Sequence, residues 1–533
     1  MDKRTLLAIV LSFVILFGWN YLAEHMGWMK RPETNAHNQA VQQTQPVPPS
    51  LPAAPPPPLA SLDVFTPSAK KAVTIDTPLY TAVLNSSGGI LQEFTLKRYK
   101  ADIKSDSALI ALLNPAAAAM APLGLLINGG PSWSGGAWEI EGSDVTLTGS
   151  QKGSLQLTGD VNGVRVVRTL TFAADSYVIT EQVRLASATQ QKVRLAFTMS
   201  SGRLESSDSQ YNRTRIAYYK GSSFKEEDSE STLQKGFAVH GEISWASVMS
   251  NYFVAAVALT DADIVVKGKL QDGIYRIALE KDGLDIVPGK EASMGCVYYL
   301  GPKEKTNLAA LPNNLEEMLN FGFFSVIAKP LMVMLAFFYQ YVHNYGIAII
   351  LLTIVVKVLL WPLSYKSYKS MEQMKKLQPM MAKLKEKYKD DKEGLNREMM
   401  QLYKTYKVNP LGGCLPILVQ IPVFFGLYQG LLNGIELRHA SFITHVPFTD
   451  IIWLADLSAK DPFYITPLVM GGTMFLQQWL TPAAGDPTQQ KMMLLMPVVF
   501  TFLFLNFPSG LVVYWLANNI ISILQQWLQL RKV

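Results

Sequence analysis

Long apolar runs at both ends of this 533-residue chain flank a middle stretch in which apolar and polar positions alternate. Residues 5–23 form the first run, with Lys3 and Arg4 ahead of it. A helix crosses a bilayer with roughly 20 apolar residues, and a basic flank predicts that this end stays in the cytoplasm. A cleaved signal peptide is the alternative, but Trp19, Asn20 and Tyr21 stand where a cleavage site needs small residues. Residues 1–31 therefore read as an N-terminal anchor. Pro, Gln, Asn and Ala dominate 32–60, a composition that cannot bury a core and reads as a semi-stiff tether.

Period-two alternation runs from 61 to about 312. Val193, Leu195 and Phe197 alternate with Lys192, Arg194 and Ala196, as on a half-buried strand. Asn162-Gly163 between β-rich runs signals a tight hairpin. Many short strands with regular turns predict a large all-β sandwich, which the anchor's orientation puts outside the inner membrane. Residues 313–345 are apolar but broken by Glu316, Glu317, Lys329 and Pro330. Their later part reads as an amphipathic helix in the outer interface, a further span being the alternative. Five spans follow, at about 346–363, 415–433, 463–480, 492–507 and 510–528. The loop 364–409 carries about twice as many Lys and Arg as Asp and Glu, so it is expected in the cytoplasm, as are both termini. The expected fold is thus a multi-pass α-helical membrane protein with six transmembrane helices and an inserted β-sandwich, with 346–530 as a five-helix core.

Composition narrows the function. The net charge is +6 and the basic residues gather beside the spans rather than on a soluble face, so no nucleic-acid partner is expected. Cys296 and Cys414 fall on opposite sides of the expected membrane, which leaves no disulfide, metal site or cofactor to predict. Within the basic loop, Met371 to Tyr388 and Leu395 to Tyr406 are amphipathic and read as a helical hairpin with a polar turn at 389–394. Met371, Met374, Met380, Met381, Met399 and Met400 offer either an adaptable apolar surface or packing between the two helices.

Lys357 lies inside an apolar span, where a charge is costly unless water or a partner meets it. Thr353, four residues earlier, shares its face. Thr473, Gln477 and Thr481 repeat at four on another span, Tyr514, Asn518, Ser522 and Gln525 form a stripe on the last, and Gln420 sits in the span after the loop. Single polar residues of this kind commonly join helices, whereas the set together suits a hydrated groove. The last four spans contain no Asp or Glu, which disfavours ion-coupled transport. His240 is the one histidine of the β region and has no acid/base constellation in sequence, so no enzyme is expected.

The run Val408-Asn409-Pro410-Leu411-Gly412-Gly413-Cys414-Leu415-Pro416 and the following Gln420-Ile421-Pro422 resemble the YidC/Oxa family of membrane protein insertases. So do Asp486-Pro487 with Gln489-Gln490-Lys491, Met496-Pro497, and Phe507-Pro508-Ser509-Gly510-Leu511. The likeness covers about 312–530. Trp245 with Tyr252-Phe253, and the tether with its external domain, resemble the Gram-negative form. The resemblance implies five helices around a hydrophilic groove, open to cytoplasm and lipid and closed outside, beneath a mutarotase-like periplasmic sandwich. It implies insertion of nascent membrane proteins into the bacterial inner membrane, alone or with the Sec translocon. The partners it implies are those proteins, the translocon, the phospholipid bilayer and a ribosome. An accessory chaperone acting only with Sec, or a saccharide-binding or transport protein, are the alternatives. The expected groove residues are Lys357, Thr353, Gln420, Tyr514, Asn518 and Gln477. The family's groove charge is an arginine where this chain has Lys357, which keeps the charge and loses the bidentate fork. Trp515 stands where many relatives have a second tyrosine. Only Arg531 and Lys532 lie near the end, so ribosome contact is expected through loops 364–409 and 481–491.

Overall fold

The computed structural model describes residues 56–61 and 71–530, apart from 87–88, 134–137, 205–211, 260, 262, 310, 390, 407, 409–414 and 482–486. The anchor expected at 5–23, nearly all of the tether and Cys414 lie outside the described residues.

Among the described residues, sheets of nine, six and five strands build the β part. The nine-stranded sheet centres on Phe253–Leu259, Ala292–Pro302, Val178–Ser187 and Val164–Ala173, neighbours in that order. Alternation explains its core: Leu155, Leu157, Val164, Val166, Leu170 and Phe172 are all buried on one face. The hairpin forms where the sequence places it. Asn162 (φ 54°) and Gly163 (φ 78°) both take the left-handed conformation that a two-residue turn needs, and Val161 pairs with Val164.

Strand Gln191–Ser201 is more deeply buried than its alternation predicts. Val193, Leu195 and Phe197 are buried as expected, but so is Ala196. Its face is covered by Leu59, Ala121, Leu126, Trp133 and Ala278. Leu59 gets there because the segment 56–61 is docked: Arg276 Nη1 donates to Ala60 O at 3.0 Å and Lys269 Nζ to Ser61 Oγ at 2.7 Å. The last residues of the predicted tether therefore belong to the β core. Deeper inside, Arg168 pairs with Glu181 at 2.5 Å and also donates to the Gly89 and Leu123 carbonyls. Each guanidinium nitrogen has a partner, which a fully buried charge requires.

Among the described residues, seven α-helices carry the C-terminal half: α1 (Ser325–Val342), α2 (Tyr345–Lys387), α3 (Lys392–Thr405), α4 (Leu415–Asn433), α5 (Ile465–Leu480), α6 (Pro487–Phe504) and α7 (Ser509–Leu530). By length and composition, Gly322–Val342 and Tyr345–Lys387 are the two described helices that could each cross a membrane, and Met493–Phe504 is a shorter apolar helix. The 43 residues of α2 join the first expected span to the first arm of the basic hairpin without a break. Nothing between Ser364 and Ser370 favours a turn, and Pro362 is absorbed within the helix. Asp391 then caps α3, its side chain accepting from Gly394 N at 2.9 Å. Met374, Leu377, Met381 and Val408 are buried together with Met399 against them, whereas Met380 and Met400 stay exposed. The packing expected between the two helices is thus present for Met374, Met381 and Met399.

The β part is rooted on the end of α4 and the loop after it. Asn251 Nδ2 donates to Leu432 O at 3.3 Å, Arg438 Nη2 donates to Ala101 O at 3.3 Å and its guanidinium lies 5.3 Å from the Phe253 ring centre. Ile435 enters the β core itself. Lys303 braces the 250–252 turn from behind: its N–H donates to Tyr252 O at 2.7 Å and its ammonium to Ser250 O at 3.4 Å. Burial, and secondarily the charge of Arg215, push the Lys303 pKa well below the ordinary lysine value, with Glu226 opposing. The folded chain therefore releases this proton at lower pH than the unfolded one. The protonated group opposes folding below its folded pKa, and that opposition fades as pH rises toward the unfolded value. Lys303→Met should raise the melting temperature of the full chain in detergent at neutral pH. The gain over the parent should shrink as pH is raised, and a gain independent of pH would contradict this reading.

Candidate functional site

Helical spacing puts Thr353 and Lys357 on one face of α2, and Tyr514, Asn518 and Ser522 on one face of α7. The two faces meet. Lys357, 8% exposed, donates from Nζ to Ser522 Oγ at 2.7 Å. The Ser522 hydroxyl donates in turn to Asn518 O at 2.7 Å. Gln420 Nε2 of α4 donates to Asn518 Oδ1, so α2 and α4 converge on two α7 side chains. Thr353, one turn along α2, is buried and donates to Ile349 O of its own helix. The Tyr514 hydroxyl is buried near Gln420 without a well-formed hydrogen bond.

Gln477 stands apart from this group. It is half-buried on α5, the helix joined to another face of α7 through Asn519 Nδ2 to Thr473 Oγ1 (3.3 Å) and Gln526 Nε2 to Leu480 O (2.8 Å). Five of the six expected residues thus lie on the converging faces of α2, α4 and α7. The reading of the sequence left out Ser522 as a site residue, although it continues the Asn518 stripe by one turn. Asn519 and Gln526 were also missed. The pair Asn518-Asn519 held the signal, since adjacent positions on a helix must serve different neighbours.

Burial in this bundle is inverted. Lys357, Asn518, Asn519, Ser522, Gln525 and Gln526 are buried. Outward stand Leu359 at 69%, Trp479 at 70%, Phe502 at 69%, and Val358, Leu468, Leu495 and Leu524. Water would reward the opposite arrangement, whereas hydrocarbon surroundings reward this one. No acidic residue occurs in α4, α5, α6 or α7, so these helices give Lys357 no counter-charge. Nε2 of Gln525 and Gln529 and Nε1 of Trp515 are buried without a partner among the described residues. Such groups call for water or a polar guest.

The far end of the bundle is closed by the segment after α4. Leu437, Leu454 and Leu457 are buried against Ile349, Leu511, Val512 and Met470. Glycines let α1 cross closely over α4: a Cβ on Gly430 would lie 2.7 Å from the Met332 sulfur, and one on Gly426 would lie 2.9 Å from Ile327 Cγ2.

Comparison with known proteins now decides the family. The chain is 58% identical over 541 residues to "Membrane protein insertase YidC" of Nitratidesulfovibrio vulgaris (strain Miyazaki F), covering 100% of this chain and 99% of the relative. It belongs to the YidC membrane protein insertase family. The protein of the same name from Lawsonia intracellularis is 52% identical over 536 residues, again covering 100% and 99%. Residues 72–334 match the family model described as YidC periplasmic domain, and 337–533 match 60Kd inner membrane protein. Among solved structures, "Active YidC insertase crystal structure with the first transmembrane domain resolved" is 17% identical and covers 87% of this chain and 93% of that one, with a TM-score of 0.36. A galactose mutarotase-like protein from Lactobacillus casei covers 43% of this chain and 100% of its own, at 10% identity and a TM-score of 0.32.

The chain thus has a large all-β periplasmic domain and a helical membrane part. For that membrane part the decisive contact is Gln420 to Asn518. Cysteines at both positions, in a chain with Cys296 and Cys414 replaced by Ser, should crosslink readily on mild oxidation and shift mobility on a denaturing gel. Failure to crosslink in the folded protein would show that α4 and α7 do not meet there.

Proposed function

We propose that this chain is a membrane protein insertase that moves nascent transmembrane segments from the cytoplasm into the inner membrane, without a chemical step. The observation that carries the reading is a buried ammonium, with buried amides left without partners further along α7, inside a bundle whose apolar side chains face out. The polar flank of a nascent segment enters this groove, where water and Lys357 lower the cost of moving it partway across. Acidic residues in that flank are drawn to Lys357. The apolar segment leaves sideways along α4 and α6, whose outward residues include Ile421, Leu495, Val499 and Phe502. Burial of about 20 apolar residues in lipid drives the exit.

The topology belongs to the same proposal. Residues 5–23, α2 and α4 to α7 make six spans, with both termini in the cytoplasm and α1 lying along the outer interface. Exposed Lys329 and Pro330 within α1 support the interfacial placement. The continuous arm of α2 and the capped α3 form the cytoplasmic entrance, where the exposed Met380 and Met400 meet the substrate and the basic charge meets a ribosome. Work beside the Sec translocon is a second setting for the same groove. In the β part, His240 Nε2 lies 2.6 Å from Asp263 Oδ1 and both side chains are more than half exposed, which favours a surface pair over a catalytic one.

Purified protein alone in liposomes, given a short-tailed membrane substrate, tests the charge and the autonomy together. Lys357→Arg should retain insertion, and Lys357→Ala should slow it about tenfold, equivalent to ~1.4 kcal/mol. Parental rates for the Ala variant at matched incorporation would contradict the role of the charge. Insertion only when the translocon is supplied would make the chain an accessory chaperone.

A further inference from the structure

One buried carboxylate holds the segment that closes the groove. Asp461 is 1% exposed and each of its oxygens accepts two hydrogen bonds. Oδ1 accepts from Trp453 Nε1 at 2.9 Å and Phe463 N at 3.0 Å. Oδ2 accepts from Thr466 N and Thr466 Oγ1, each at 2.7 Å. These bonds tie strand Ile452–Leu454 and the turn after Asp461 to the first turn of α5. The same segment is fastened to the start of α7, where Ser509 N donates to Ala459 O at 2.7 Å and Gly510 N to Leu457 O at 2.9 Å. Beside this polar fastening, Leu454 and Leu457 are each 1% exposed and pack on Ile349, Leu511 and Val512. The groove residues Thr353 and Tyr514 begin about one helical turn further along α2 and α7 from Ile349 and Leu511.

A wet pocket inside a membrane must be stopped at one end, or it conducts. Here the stopper comes from a loop whose own ladder is one short antiparallel pair, Ile443–His445 with Ile452–Leu454, which ties the loop to itself and not to the helices. Its position depends on the fastenings, and those to an ionised carboxylate are the stronger kind. We infer that Asp461 is a positioning residue that keeps the outer end of the groove sealed by holding Leu454 and Leu457 in place. This inference rests on the groove reading given above. Without the carboxylate, the loop lifts and water reaches the groove from the outer side while the helices remain assembled.

The test is the sidedness of labelling in sealed vesicles. A single cysteine replaces Gln420 in a chain whose Cys296 and Cys414 are changed to Ser, and a membrane-impermeant maleimide is added from either side. The otherwise unchanged chain should label from the cytoplasmic side only. Asp461→Asn, whose amide NH2 replaces one carboxylate oxygen and cannot accept from the two donors there, should add outer-side labelling at a severalfold higher rate. Trp453→Phe, which removes one bond, should give a smaller rise, and Asp461→Glu, which keeps two acceptor oxygens, should restore much of the seal. Asp461→Asn that labels from the cytoplasm but not from outside would overturn the proposal. Should that variant fail to accumulate, a Trp453→Phe chain closed on its outer side overturns it equally. Absence of cytoplasmic labelling in the unsubstituted background contradicts the groove itself, and the seal with it.

Discussion

An ammonium buried among helices that offer no counter-charge is the constraint around which the membrane part is arranged. Lys357 finds a hydroxyl, not a carboxylate, and that hydroxyl is already committed to its own helix. One neutral acceptor does not replace the hydration of a charge. The remainder has to come from water or from a guest. The polar residues on α4 and α7, and the α7 amides left without partners among the described residues, are groups that water can serve. The apolar outer faces keep the bundle in lipid. A dry, fully paired core would be more stable and would have nothing to offer a passing chain.

The periplasmic domain and the outer loop give that soft interior a fixed frame. Ile435 in the β core, Arg438 against Phe253 and Asn251 on Leu432 join the end of α4 to the sandwich. Asp461 joins the same loop to α5, and the Ser509 and Gly510 amides join it to α7. Polar fastenings between segments gather at the closed end. Toward the other end, the bundle depends on single polar contacts such as Gln420 to Asn518 and Gln526 to Leu480. This gradient suits a groove that must admit a segment from one side without opening to the other.

Much of this was readable from residues alone, where one physical rule acted locally. The Asn162-Gly163 turn follows from its dihedral demands, and the convergence of Lys357 with the α7 stripe follows from helical spacing and the cost of a buried charge. What was not readable depended on tertiary partners. Residues 56–61 look like the rest of a Pro-rich tether until Arg276 and Lys269, more than two hundred residues away in sequence, hold them down. The helical arm expected from Met371 is present, but α2 runs into it through 364–370 without the break expected after the span, because polarity marks exposure and not the end of a helix. Gln477 shares its four-residue spacing with Thr473 and Thr481, but spacing along one helix cannot say which neighbour that face will meet. The latch at Asp461 was invisible because its four donors come from three places in the fold.

The central claim is that position 357 is wet although it lies within a membrane span. A nitroxide placed there in the reconstituted protein reports this directly, by its relative exposure to a water-soluble nickel chelate and to lipid-soluble oxygen. The account predicts collisions with the chelate well above those at lipid-facing Leu359, and echo modulation from deuterated water at 357. A probe at 357 that favours oxygen as strongly as one at 359, with no deuterium contact, would contradict it.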